Sequence, residues 1–219
     1  MGIPDRASTV PAQFWQHPAV GVSLKEFEAM KSRVQGHRRT AAPVLLASAS
    51  PAAHTVILGI DPSLRGTGYG VIRLDRSEPT ALTQGVVHCP SGWERSRCLL
   101  QIATTLREVA RQFQPTACAI EGLFYAQNLQ TALIMGEARG AALVAAAEAG
   151  LMIVEIAPRK VKQAIVGYGA AQKLAVAKMV QRLLRLPELP TPDAADALAL
   201  ALALAQEQRR YSLNPLKRI

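Results

Sequence analysis

The chain has 219 residues, 49% hydrophobic and 19% charged, a balance that supports a sizeable core and excludes global disorder. Aromatic residues make up only 5%, so that core must be built largely of Ala, Leu, Val and Ile. The formal charge of +9 implies a polyanionic partner, either nucleic acid or an anionic membrane, with a merely basic soluble protein as the plainer alternative.

Residues 1–54 mix Pro, Ala, Ser and basic residues around one short helical stretch near Ser23–Arg33. Arg38-Arg39 ahead of Val44-Leu45-Leu46-Ala47 faintly resembles a secretion signal, but the pair lies too deep and the apolar patch is too short. The segment reads as a flexible N-terminal extension. A start codon placed too early and a transit segment are the alternatives.

Ordered patterning begins at Thr55. Val56 to Ile60 is an apolar run of the kind found in buried strands, followed by Asp61-Pro62. Asp61-Pro62 with Gly66, Gly68 and Gly70 predicts a tight turn. Tyr69 to Leu74 and Ala81 to His88 read as two strands of a meander, separated by Asp75 to Pro79. Arg95 to Phe113 carries Leu99, Ile102, Leu106, Val109 and Phe113 near one helical face, and Pro115 stops it. Ala117 to Ile120 is a fourth strand ending at Glu121. Asn128 to Ala149 is a long Ala-rich helix closed by Gly150, and Leu151 to Ile156 is a fifth strand. Helical pieces at Pro158–Val166, Ala170–Leu186 and Pro192–Gln208 follow. This order predicts one α/β domain over residues 55–208: a five-stranded mixed sheet with helices on both faces. Residues 209–219, with Arg209, Arg210, Lys217 and Arg218, read as a basic tail.

The three cysteines, Cys89, Cys98 and Cys118, show no CxxC pair and no metal-ligand spacing, which fits a reducing compartment. Cys118 sits in an apolar run as a small core residue. The Ala/Leu stretch from Ala194 to Ala205 is too short to cross a bilayer. A cytoplasmic protein with no membrane partner is expected.

The carboxylates carry the chemistry. Asp61 ends the first strand, Glu121 ends the fourth, and Asp193 and Asp196 open the last helix. Parallel strand ends converge on one edge of a sheet, where ligands gather. Asp193 and Asp196 share a helix face, although an acid in a first helical turn needs no explanation beyond the helix dipole. Together, the four acids would repel one another unless a hard divalent cation relieved them. Two such ions about 4 Å apart can clamp the attacking water and leaving oxygen of a phosphodiester. A basic protein with such a pocket is a coherent nuclease.

At these residues the sequence resembles the RuvC-type Holliday-junction resolvases, over Val56 to about Gln206. The resemblance rests on Ile57 to Pro62, Thr67 to Ile72, Ala119-Ile120-Glu121, Gly136 to Gly140, Val161-Lys162-Gln163 and Asp193 to Ala199. It implies a ribonuclease-H-like fold, a homodimer, and paired symmetric nicks in four-way junction DNA that leave 5′-phosphate and 3′-hydroxyl ends. It also implies catalytic metal ligands at Asp61, Glu121, Asp193 and Asp196. The implied cofactor is Mg2+, two ions per site, with Mn2+ as a substitute. A branch-migration complex with RuvA and RuvB is the implied assembly.

By the same resemblance Phe124 stacks at the opened junction, with Tyr125 beside it, and Lys162 and Lys173 face DNA. Arg159 and Lys160 extend that basic strip toward phosphate. Core packing for Phe124 and a solvated helix face for the lysines are the plainer readings. The family places a helix near Ala141–Ala149 at the dimer interface, although burial against the sheet gives the same composition. Ser63-Leu64 stands where the family more usually has Gly, and Gly122 where relatives often carry a polar side chain. Three alternatives stay open: a related nuclease acting on RNA or flaps, an actin-like ATP-binding module, and a non-catalytic junction-binding protein.

Overall fold

The structure, a computed structural model, describes residues 54–75, 78–122, 129–208 and 217–219. The expected N-terminal extension lies outside these residues apart from His54, as do Phe124 and Tyr125.

Among the described residues six strands form one sheet in the order β3-β2-β1-β4-β5-β6. They are β1 (Val56–Asp61), β2 (Gly66–Leu74), β3 (Pro79–His88), β4 (Ala117–Glu121), β5 (Met152–Ile156) and β6 (Lys217–Arg218). The first three make the antiparallel meander, while β4 runs parallel to both β1 and β5. The sheet therefore has one strand more than expected. Lys217 pairs with Glu155 and Arg218 with Val154, so the end of the expected basic tail returns as a short antiparallel edge. Two residues are too few to show strand periodicity; only their pairing with β5 defines them.

Among the described residues five helices flank the sheet: α1 (Arg95–Phe113), α2 (Leu129–Glu148), α3 (Pro158–Val166), α4 (Lys173–Leu183) and α5 (Pro192–Gln208). On one face Ile57, Ala117, Ala119, Val154 and Ile156 meet Val161, Ile165, Val176, Val180 and the Leu198–Ala205 stretch. On the other, Leu58, Ile60, Cys118, Ile120 and Ile153 meet Ile102 and Leu106 of α1 and Ala138, Ala142 and Ala145 of α2. Odd and even residues of β1 thus enter different cores, as the period of two requires. Each buried Leu or Ile contributes about 1.5–3 kcal/mol relative to exposure. All three cysteines are buried and free, and burial pushes the Cys118 thiol up to about 12. Among the described residues no helix is long and apolar enough to cross a membrane.

The expected turn at Gly66, Gly68 and Gly70 is instead the first half of β2. Spaced by two, these glycines share one face of the strand. A Cβ on Gly68 would run into the backbone of Asp193, and one on Gly70 would lie 2.6 Å from the Leu198 side chain. Across the ladder, Gly59 pairs with Gly70, and its Cβ would collide with the Ala197 carbonyl. Bare backbone at these positions lets α5 lie directly on β1 and β2. The actual turn is Pro62 to Arg65. It is held where the buried Thr67 hydroxyl donates to the Ser63 carbonyl (2.5 Å) and accepts from the Ser63 N–H (3.2 Å). Leu64 plugs into the α1/α2 core, so the departure at Ser63-Leu64 is a well-anchored turn.

Two helix boundaries shift. The expected helix Ala170–Leu186 shortens to α4, because Gln172 is an extended N-cap and Arg185 takes a positive φ of 51° just past the end. Gly150, with φ 69°, ends the chain's exit from α2 as expected.

Candidate active site

Asp61 and Glu121 end the adjacent parallel strands β1 and β4 on the face covered by α5, and both are half-buried. Their carboxyl groups hydrogen-bond to each other. Burial, then the charges of Glu121 and Asp196, push the Asp61 carboxyl up to about 8. Burial, followed by Asp196, also raises Glu121, while Asp61, Lys173 and Lys162 draw it back. One proton is therefore held between Asp61 and Glu121. Such a shared proton is the ordinary way for two adjacent buried carboxylates to avoid carrying two charges.

Asp196 faces this pair from the first turns of α5 and pairs with the Lys173 ammonium at 2.7 Å. Asp193, one turn earlier, sits over the start of β2: a Cβ on Gly66 would lie 3.0 Å from its Oδ2. The charges acting on Asp61 are those of Glu121, Asp196 and Lys173, and Asp193 is not among them. The structure thus brings Asp61, Glu121 and Asp196 into one electrostatic cluster and sets Asp193 over the start of β2.

Among the described residues no three His, Cys, Asp or Glu side chains stand in a metal-ligating array. In the cluster as it stands, the Lys173 ammonium lies against Asp196, and burial with two neighbouring carboxylates raises Asp61. An oxygen-only donor set with excess negative charge fits a hard cation such as magnesium.

The basic residues divide. Lys162, on α3, is half-buried and its charge reaches Glu121; Lys173, at the start of α4, reaches Asp61, Glu121 and Asp196. Arg159 and Lys160 are exposed on α3, and the Arg159 side chain lies over Gly169. Gly122, the departure next to Glu121, leaves room for Glu155: a Cβ there would lie 3.2 Å from Glu155 Cγ. One residue that sequence reasoning passed over is Arg139. It lies in the matching segment Gly136–Gly140, yet nothing local says that its side chain reaches the last residue of β4.

A mixed sheet of this order, flanked by helices and bearing acids at the adjoining ends of β1 and β4, is a ribonuclease-H-like fold with a carboxylate site. The family model for the crossover junction endodeoxyribonuclease RuvC matches residues 57–204. The chain belongs to the RuvC family. A relative of that name from Akkermansia muciniphila is 45% identical over 161 residues, covering 74% of this chain and 93% of the relative. Another from Tolumonas auensis is 49% identical, covering 71% of this chain and 89% of the relative. Among solved structures, Thermus thermophilus RuvC superposes with a TM-score of 0.67 at 36% identity, covering 75% of this chain and 99% of that one. The same protein in complex with a Holliday junction substrate gives 0.65 at 38% identity, covering 68% and 92%.

Proposed function

We infer that the protein resolves four-way (Holliday) DNA junctions by hydrolysing phosphodiester bonds in paired, symmetric nicks. The observation that carries this reading is the convergence of Asp61, Glu121 and Asp196 at one sheet edge in a chain of the RuvC family.

The nucleases of the family are metal-dependent, and Mg2+, with Mn2+ as a substitute, is the cofactor proposed here. Asp61, Glu121 and Asp196, with Asp193 at the margin, would hold it. Bound there, it supplies Lewis acidity at the scissile phosphate and a water of lowered pKa. Asp61 must lose its proton for this, and Asp196 must part from Lys173. Lys173 is then free to meet a phosphate, and Lys162, Arg159 and Lys160 extend the same basic surface along α3. Phe124 and Tyr125 are assigned to the junction's unstacked bases, where an aromatic face restores about 1–3 kcal/mol per base.

We assign the protein to a homodimer through α2. That helix buries Ala138, Ala142, Ala145 and Ala146 but exposes Leu129, Leu133 and Val144, at 75%, 59% and 51%. Gly136 and Gly140 lie open between them, with nothing within 4 Å of an added Cβ. A two-fold axis there would give each subunit one strand of a nearly symmetric junction. Work in the cytoplasm beside the branch-migration proteins RuvA and RuvB is part of the same reading.

The test offers a synthetic mobile four-way junction, a duplex, a flap and an RNA–DNA hybrid, each with and without Mg2+, and maps the nicks. Metal-dependent paired nicks confined to the junction are expected. Preferential cutting of the hybrid or flap would favour a different ribonuclease-H-like nuclease. Binding without cutting would leave a junction-binding protein.

A further inference from the structure

The sheet separates Arg139 from the carboxylate cluster. Glu121 pairs with Ile156 and shares its face, the one covered by α5. The next residue back on β5, Glu155, points to the opposite face, where α2 lies. There Arg139 forms an ion pair with Glu155 through Nη2, both side chains being mostly buried. Its Nε donates at 3.3 Å to the backbone carbonyl of Glu121. On the other side of the same peptide unit, the Gly122 N–H donates to the Ile156 carbonyl at 3.0 Å. The Glu121–Gly122 peptide is therefore gripped at both ends, one grip being a main-chain bond just past the end of β4 and the other a side chain.

We propose that Arg139 is a positioning residue for the nuclease reaction: from behind the sheet, it fixes the Glu121 main chain and so aims the Glu121 carboxylate. The proposal rests on the reading of Glu121 as a ligand for the divalent ion. β4 ends at Glu121, so its own ladder does little to orient that last carbonyl. A guanidinium suits the task because its planar fork addresses a carbonyl through Nε and a carboxylate through Nη2 at once. Glu155 keeps the buried charge neutralised, and its second oxygen accepts from Lys217 of β6 at 3.2 Å. Gly122 belongs to the same device, since any side chain there would press on Glu155. A small misplacement of a reacting group is costly, a shift of about 1 Å slowing reactions on the order of a hundredfold.

The test compares wild type, Arg139→Gln, Arg139→Lys, Glu155→Gln and the double Gln variant. Mn2+ binding is followed by electron paramagnetic resonance, junction affinity by gel shift in EDTA, single-turnover cleavage at several Mn2+ concentrations, and folding by thermal melting. Arg139→Gln should weaken Mn2+ binding about 10–100-fold, the usual effect of removing an outer-shell partner, with junction affinity in EDTA unchanged. Arg139→Lys should recover part of the loss. The double variant should be no worse than Arg139→Gln, because the two residues act as one unit. Normal Mn2+ affinity in folded Arg139→Gln would overturn the proposal, even if its melting point dropped. If Arg139→Gln does not fold, Glu155→Gln decides: weakened Mn2+ binding supports the proposal and normal binding overturns it. Wild-type protein that binds no Mn2+ would instead remove the metal-ligand reading beneath it.

Discussion

The ammonium of Lys173 rests 2.7 Å from Asp196 Oδ2, on a carboxylate proposed to serve the cation, with Asp61 and Glu121 also within its field. The proposed function gives this lysine two destinations: the acids when no divalent ion is bound, and a DNA phosphate when one is. Lys173→Ala should lower the salt slope of junction binding by about 1 in the presence of Ca2+, used in place of Mg2+ to slow cutting. In EDTA the slope should change less. Equal slopes for variant and wild type in Ca2+ would take Lys173 off the DNA surface.

Asp61 stands where burial and two neighbouring carboxylates act together. Asp61→Asn keeps the shape but cannot release a proton to become the carboxylate a divalent ion would need. Cleavage should fall by about 10²–10³-fold or more, the scale set by loss of one preorganised electrostatic group. Junction binding in EDTA should be retained. Brisk Mg2+-dependent cutting by this variant would refute the role.

The proton on Asp61 also sets a pH dependence. The folded carboxyl titrates at about 8, against an ordinary value of 3.8. Between those values the folded state holds a proton that the unfolded chain has released, so stability decreases as pH rises and levels off above about 8. Thermal melts in EDTA at pH 5 to 9 should show this fall, and Asp61→Asn should flatten it. Mg2+ competes with the same proton, so cleavage should climb toward pH 8. A melting point that rises steadily from pH 5 to 8 in EDTA would contradict the assignment.

The outward face of α2 gives a separate test. Leu133→Arg places a charge amid Leu129, Gly140 and Val144 without touching a buried residue. Sedimentation should show a dimer for wild type and a monomer for the variant, and coordinated paired nicks should become independent single ones. An unaltered sedimentation coefficient would move the interface elsewhere.

The elements most legible in the sequence were those with strong local signals. Apolar spacing and Pro115 marked Arg95–Phe113, and Pro158 and Pro192 marked the starts of α3 and α5. The nearness of Asp61, Glu121 and Asp196 was legible because each stands at one end of a buried strand or helix. Three glycines spaced by two were misread because that pattern suits both a turn and a strand face; only the approach of α5 decides between them. β6 and the Arg139–Glu155 pair were invisible for a related cause. Each is defined by partners 16 to 62 residues away, which no window along the chain contains.

The glycine-lined seat of α5 has a further consequence. Where Gly59 and Gly68 meet Ala197 and Asp193, main chain abuts main chain, so the separation is set by peptide thickness and no rotamer can alter it. The gap between the acids of the strands and those of the helix is fixed as by a spacer of constant width. Changes in the hydrophobic layers further along can then accumulate without altering that spacing.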